Sequence, residues 1–365
     1  DGSATVSEGI GYGMLIMVYM DNSTNNTKAC FDKLFNYYKA SLDGNGLMNW
    51  KVKGWGTPTV IDANAAPDAD IDVAQALLLA AKQWNDASYQ TAAMSLIDKI
   101  WAYETQPYSG FSNKRLIKPG DMFDAVLNPS YFITNALKLF AQAGHTQGTA
   151  WNDVAQNHYD LIKVCQNSST GLVPDWVWPS GALITQGQNL GNACNNCTAD
   201  SKGIGAGKFE SYFLYDAIRV PWRFAQAYAW YGDADAKLIV DKVANWVNTS
   251  LSGQPEKAVD GYTLAGQAAT GLTAPLNNKG IYSNACFTGG LGISAMTNSA
   301  NQTLLNKTFS ETVKSEGANS QYFTTTTQLL YLLCMTGNMP NFYDMNPAPA
   351  KAYNDATGGC SKIYV

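Results

Sequence analysis

Roughly eleven stretches of this chain, each about 11 to 21 residues long, place apolar side chains at spacings of three and four. Residues 28–42 carry Cys30, Phe31, Leu34, Phe35 and Tyr38 in that pattern, and residues 70–84 carry Ile71, Ala74, Leu77, Leu78 and Ala81. Residues 88–103 follow the same rule, 7–19 is apolar throughout, and further helical segments run over 129–143, 151–166, 211–231, 234–249, 301–315 and 321–336, with a shorter one at 289–298. Such spacing gives a helix one apolar side. No long β-branched run competes with it, so the chain is expected to be all-α. Helix starts are marked locally, as by Ser7-Glu8.

The connections narrow the architecture further. Loops at 43–67, 104–128, 168–210 and 250–288 are longer than ordinary connections in a compact domain. They carry Trp, Tyr, Asp and Asn, as loops that build binding sites do. Their recurrence suggests helical hairpins closed into a ring, with the long loops at one end. No short repeat supports a solenoid. A chain of 365 residues could hold one large domain or two. No Pro/Gly/Ser linker or charge block divides it, and one domain over residues 1–365 is expected.

Charge excludes some partners. Only 15% of residues are charged, the net charge is −5 and no basic patch exists, so nucleic acid is not an expected partner. No apolar stretch is long enough to cross a bilayer. The chain opens on Asp1-Gly2-Ser3, which reads as a trimmed or processed start. Of seven cysteines, Cys194 and Cys197 are the closest pair. No second pair answers them as a zinc site requires, and a disulfide stapling a Gly/Asn-rich loop is the better reading. Acceptor patterns at Asn22-Ser23-Thr24 and Asn25-Asn26-Thr27 lean the same way, toward a secreted protein.

Several stretches could carry chemistry. TVSEGIGYGML (5–15) sets Glu8 at a helix start, followed by Gly9, Gly11 and Gly13. Three glycines weaken a helix unless something large lies against its backbone. Glu8 could simply complement the helix N-terminus; as an acid it would need a raised pKa. NAAPDADIDVA (64–74) alternates Asp68, Asp70 and Asp72 without the Gly and Glu of a calcium loop. There, one Asp can face a ligand while another caps the turn. YDAIRVPWR (215–223) sets Asp216 one turn before Arg219, among rings. It is either a structural ion pair or a sugar-like environment, where rings stack on apolar ring faces and charged groups grip hydroxyls. Trp50 and Trp55 on the first long loop, Tyr131 in NPSYF, and Asp175, Trp176 and Trp178 in GLVPDWVWP add loop-borne groups for a stacking groove. With two histidines and no nucleophile elbow, chemistry by carboxylates is what remains.

Together TVSEGIGYGML, GLMNWKV, NAAPDADIDVAQALLLA, NPSYF, GLVPDW and YDAIRVPWR resemble glycoside hydrolase family 8, in the family's order and over about residues 1–232. The C-terminal third resembles it loosely, through helix pattern and Gln321-Tyr322-Phe323. The resemblance implies an (α/α)6 barrel of six inner and six outer helices around an acidic cleft. It implies cleavage with inversion and no cofactor. Carried over residue by residue, it makes Glu8 the general acid, Asp216 the general base and Asp68 the group that grips the sugar. Tyr131, Tyr215 and Arg219 become the wall beside the base. The chain departs from the family at Pro67, where Thr is usual, and at its start, where a helix usually precedes the SEG motif. A ring short of its first helix is therefore expected. The implied enzyme is a monomeric endo-β-1,4-glucanase acting on cellulose or mixed-linkage β-glucan, with xylan second. Chitosan ranks lower, because a chitosanase should carry extra acids along the cleft. A carbohydrate-binding protein without catalysis would lack one of the two carboxylates, and a uronate lyase would need a different base.

Overall fold

The structure, a computed structural model, describes residues 4–54, 56–108, 114–123, 125–185, 210–270, 279–315 and 322–345. Eleven α-helices run through them: α1 (Ser7–Met20), α2 (Lys28–Ala40), α3 (Pro67–Gln83), α4 (Ala87–Lys99), α5 (Thr134–Gln142), α6 (Ala150–Cys165), α7 (Val220–Tyr231), α8 (Ala234–Ser250), α9 (Ala285–Gly292), α10 (Gln302–Lys314) and α11 (Tyr322–Met335). The odd-numbered helices pack in the cyclic order α1, α3, α5, α7, α9, α11 and back to α1. Each of α2, α4, α6, α8 and α10 lies outside the inner helix that precedes it. The fold is all-α, an (α/α)6 barrel, with five outer helices among the described residues.

Burial follows this division. On α3 nearly every residue is buried, whereas on the outer α2 only Phe31 and Tyr38 are. A helix enclosed on all sides must be apolar or paired all round, while an outer helix needs only a stripe. Inside the ring, Tyr12 of α1, Trp222 of α7 and Tyr331 of α11 meet edge to face, with centroids 6.0 and 5.7 Å apart. The glycines of α1 are explained by its neighbours. A Cβ on Gly11 would stand 3.2 Å from the Ala69 carbonyl oxygen of α3, and one on Gly13 3.0 Å from Leu34. The large objects against this backbone are two neighbouring helices, α3 at Gly11 and α2 at Gly13.

Several elements differ from the sequence expectation. The 43–67 connection contains strands β2 (Asn49–Lys53) and β3 (Thr59–Ala65), which join β1 (Ala4–Val6) in an antiparallel sheet ordered β1-β2-β3. Val6 pairs with Lys51, and Asn49 with Ala65. These strands are short and mix polar with β-branched residues, so each is too brief to show a strand pattern alone and the pairing completes it. The two outer strands run directly into α1 and α3, fixing where Glu8 and Asp68 emerge. A second hairpin, β4 (Thr105–Pro107) with β5 (Arg115–Ile117), occupies part of 104–128. Ser7 does not cap α1: Val6 holds the cap position in extended backbone, with no side-chain bond. The expected 129–143 helix is split, because Asn128 accepts from Ser130 N at 3.0 Å and closes a 3-10 turn over Pro129–Tyr131. The 211–231 helix starts late, at Val220. Upstream, the Asp175 carboxylate takes the N–H groups of Leu214 (2.9 Å) and Ala217 (2.8 Å), and Phe213 pairs with Tyr262.

Both histidines are core groups. His158 stacks on Phe132 at 4.0 Å and accepts from Ile117 N, and burial drives its pKa down to about 3. Cys194, Cys197, Trp55 and Gln321 lie outside the described residues. Cys30, Cys165, Cys286 and Cys334 are free thiols.

Asp72 of α3 and Arg223 of α7 form a sealed bidentate pair, at 2.8 and 2.5 Å. Removing one partner of such a pair strands a buried charge, at a cost of about 3–5 kcal/mol. Arg223→Met should therefore lose about that much in urea denaturation, and Arg223→Met with Asp72→Asn should regain a large part of it. An equal loss in single and double variants would mean the pair is not coupled.

Candidate active site

Arg219 sits in the 3-10 turn Ala217–Arg219 that leads into α7, its side chain only 3% exposed. A guanidinium that far from water needs acceptors on every side. Three carboxylates supply them. Nη1 donates to Glu8 Oε1 and to Asp68 Oδ2 (2.7 Å), and Nη2 donates to Asp216 Oδ1 (2.7 Å). The strand-to-helix junction β1–α1 delivers Glu8, the junction β3–α3 delivers Asp68, and the turn before α7 delivers Asp216. The rings of Tyr131 and Phe323 flank the guanidinium, at 5.5 and 5.9 Å.

Each carboxylate has further partners. Glu8 Oε1 accepts from Tyr12 OH at 3.0 Å, one helical turn on, and Oε2 accepts from Tyr322 OH at 2.6 Å. Asp216 Oδ2 accepts from the Trp176 indole N–H at 3.1 Å. Asp68 is buried, whereas the Glu8 and Asp216 side chains keep 14% and 34% exposure. Those two, with Tyr215, Lys279, Tyr322 and Phe323, line a pocket of about 330 Å³. That size lies at the lower end of small-molecule sites.

One cation shared by three carboxylates leaves the cluster with excess negative charge, which favours retaining a proton. Burial raises the Asp68 pKa to about 7, with the Glu8 charge adding and Arg219 opposing. Asp216 is raised too: desolvation at the pocket floor outweighs the Arg219 cation beside it. Burial works against the charge on Arg219, but the surrounding acids outweigh it and hold the group firmly protonated.

Most residues singled out in the sequence meet here. Glu8, Asp68, Tyr131, Tyr215, Asp216 and Arg219 share one cluster. Trp176 touches it differently from the stacking role expected. It is buried with Phe123, Val126 and Ile184, so it presents an N–H to Asp216 and no open ring face. Trp50 lies half-buried on β2, under the Lys51 ammonium, and is not part of the pocket wall. The alternating aspartates point three ways, to Arg219, to Tyr38 and to Arg223, and none caps α3. Sequence reasoning gave no role to Tyr12 or Tyr322. The i,i+4 spacing of Glu8 and Tyr12 on a helix was a usable signal. Tyr322 lies 314 residues from Glu8, and nothing local announces the contact.

The Asp68 carboxyl has a folded-state pKa above its unfolded one, so the folded chain holds the proton more tightly. Its contribution to stability is full below roughly pH 4. It fades as pH rises through about 7. Asp68→Asn removes that titration. The stability of wild type relative to Asp68→Asn should therefore fall between those limits, measured by urea denaturation at a series of pH values. A difference that stays flat would contradict the raised pKa.

The chain is similar to known proteins along most of its length. The chain is 35% identical over 353 residues to "Endoglucanase 2" of Ruminiclostridium josui, covering 94% of this chain and 66% of that relative, just under two thirds of its length. A solved β-1,3-1,4-glucanase from Paenibacillus sp. X4 superposes with a TM-score of 0.77 at 30% identity, covering 93% of this chain and 84% of that one. A cold-adapted family 8 xylanase superposes at 0.71 with 19% identity, over 93% and 81% of the two chains, which speaks to fold alone. The family model for glycosyl hydrolases family 8 matches residues 2–337. With the barrel and the carboxylate cluster in place, the chain belongs to glycosyl hydrolases family 8.

Proposed function

We propose that the chain is an inverting endo-β-1,4-glucanase, a single catalytic unit over residues 1–365. The observation that carries this reading is Arg219 binding Glu8, Asp68 and Asp216 at one pocket. Two carboxylates that face one cavity and do different jobs are what glycoside hydrolysis requires. Glu8 is the general acid. Its Oε1 is committed to Arg219 and Tyr12, so Oε2 is the oxygen that carries the proton to the glycosidic oxygen. The Tyr322 hydroxyl can donate to Oε2 when it is ionised and accept from it when it is protonated, and so serves both states.

Asp216 is the general base. Arg219 and Trp176 orient its two oxygens, and its partial exposure leaves room for the attacking water. Asp68, fixed on the same guanidinium nitrogen as Glu8, grips the sugar at the cleavage position. The mechanism needs no cofactor. A β-linked glucan, cellulose or mixed-linkage, is the preferred substrate, in line with the names of the relatives. Stacking rings accept glucose and xylose alike, which keeps xylan as the second choice. We place the enzyme outside the cell, acting as a monomer.

Glu8→Gln and Asp216→Asn each keep the shape and remove the transferable proton or the base. Each should lower kcat about 10² to 10⁴-fold with folding intact. An activated leaving group should restore Glu8→Gln far more than Asp216→Asn, since only the first loses leaving-group protonation; equal rescue would undo the division of roles.

With inversion, proton NMR of the first product from a β-glucan should show the α-anomer. The two carboxyl groups then stand roughly 6.5 to 9.5 Å apart around the water. An initial β-anomer would require a nucleophile instead. Substrate choice is tested by kcat/KM on carboxymethylcellulose, barley β-glucan, xylan and chitosan. Xylan or chitosan ahead of both glucans by roughly tenfold would overturn it.

A further inference from the structure

Lys279 is the one cation on the pocket wall among the described residues, and the mechanism above does not use it. Its placement is built. Gly280 follows it with φ +74, and a Cβ there would stand 2.5 Å from the Ala269 amide nitrogen, so the turn admits only glycine. Asp260, buried behind this turn, takes the Ile281 and Tyr282 N–H groups on Oδ1, at 3.1 and 3.2 Å. Its Oδ2 accepts from Tyr215 OH at 3.4 Å and faces Lys279 Nζ at 3.6 Å. Asn284 also donates to that Tyr215 oxygen, at 3.2 Å. The ammonium lies 4.3 Å from the centre of the Tyr215 ring, and Tyr215 is the residue before the base.

One buried carboxylate therefore positions the ammonium, its turn and the neighbouring ring together. The side chain is still 26% exposed. At 3.6 Å the pair is longer than a hydrogen bond, so among the described residues no carboxylate takes up the N–H donors. Glu8, Asp68 and Asp216 would otherwise make this pocket attractive to any cation. A fixed positive charge on the base side reverses that locally, and over short distances in a partly desolvated cleft it is weakly screened.

Resting on the glucanase reading, we propose that Lys279 is a specificity-determining residue. It donates to hydroxyls of an uncharged glycan near the cleavage position and repels the ammonium of a glucosamine unit there. The test compares wild type, Lys279→Arg, Lys279→Met and Lys279→Glu on barley β-glucan and on chitosan at mildly acidic pH. Thermal melting verifies that each variant is folded. Lys279→Met should raise KM for β-glucan several-fold with kcat nearly unchanged. Lys279→Glu should raise the chitosan to β-glucan ratio of kcat/KM by roughly tenfold or more, and added salt should shrink that gain. Lys279→Arg should keep the wild-type ratio. If Lys279→Glu does not fold, the ratio in Lys279→Met, expected to rise in the same direction, decides. A ratio unchanged in the folded charge-removing variants would overturn the proposal, as would an equal kcat loss on both polymers, which marks a merely structural role. Wild type active on β-glucan with that result sinks the lysine's role alone. Wild type inactive on both polymers sinks the glucanase reading and this inference together.

Discussion

A guanidinium removed from water keeps its charge only if acceptors replace its hydration shell. Arg219 has that replacement from three carboxylates on three segments far apart in sequence. Pull any of those segments away and a buried charge is stranded. The mutual dependence holds the first turns of α1 and α3 against the turn that opens α7. It also explains the sheet and loop contacts around them. The antiparallel β1-β2-β3 sheet sets the entry points of α1 and α3, and Asp175 fixes the backbone on either side of Asp216.

Arg219 and Arg223 are four residues apart, as are Asp68 and Asp72. Asp68 and Asp72 share a face of α3, and Arg219 in the turn before α7 and Arg223 on α7 meet them in order, so two rungs join α3 to the start of α7. The rungs differ in what surrounds them. Arg223–Asp72 is a closed bidentate pair with both side chains 1% exposed, an arrangement suited to fixing helix register. At the Arg219–Asp68 rung the pocket begins, and two further carboxylates share the cation. The same chemistry is structural at one level of the barrel and available for reaction at the next. Openness to solvent and the ratio of charges decide which.

Buried carboxylates recur as organisers of the loops. Asp175 gathers two N–H groups beside the base, and Asp260 gathers two beside Lys279. Backbone in a loop has no ladder to satisfy its donors, and a carboxylate is the strongest acceptor that can substitute. Long loops can then be rigid enough to hold catalytic groups in place, as positioned chemistry demands.

The helical spacing of apolar residues determined the all-α class, and the odd and even helices of the ring were legible as segments. Motif order over the first two thirds brought Glu8, Asp68, Tyr131, Tyr215, Asp216 and Arg219 forward as a set. The resemblance carried that assignment; the residues themselves, at helix starts and turns, left a structural ion pair or a helix-end charge equally open. Boundaries were less legible. The late start of α7 and the split before α5 depend on the side chains of Asp175 and Asn128 capturing backbone donors, which periodicity cannot register. The short sheet was not legible because strands of three to seven residues carry too little pattern and depend on their partners. Only the tertiary structure could turn Trp176 from a ring face into an N–H donor, or leave Trp50 outside the pocket wall. Only it could bring Tyr322 to Glu8 across the closure of the ring, and set Lys279 beside the base through Asp260. Each of those outcomes depends on which segments the barrel makes neighbours, and that is settled by burial and charge pairing over distances in sequence that no local pattern spans.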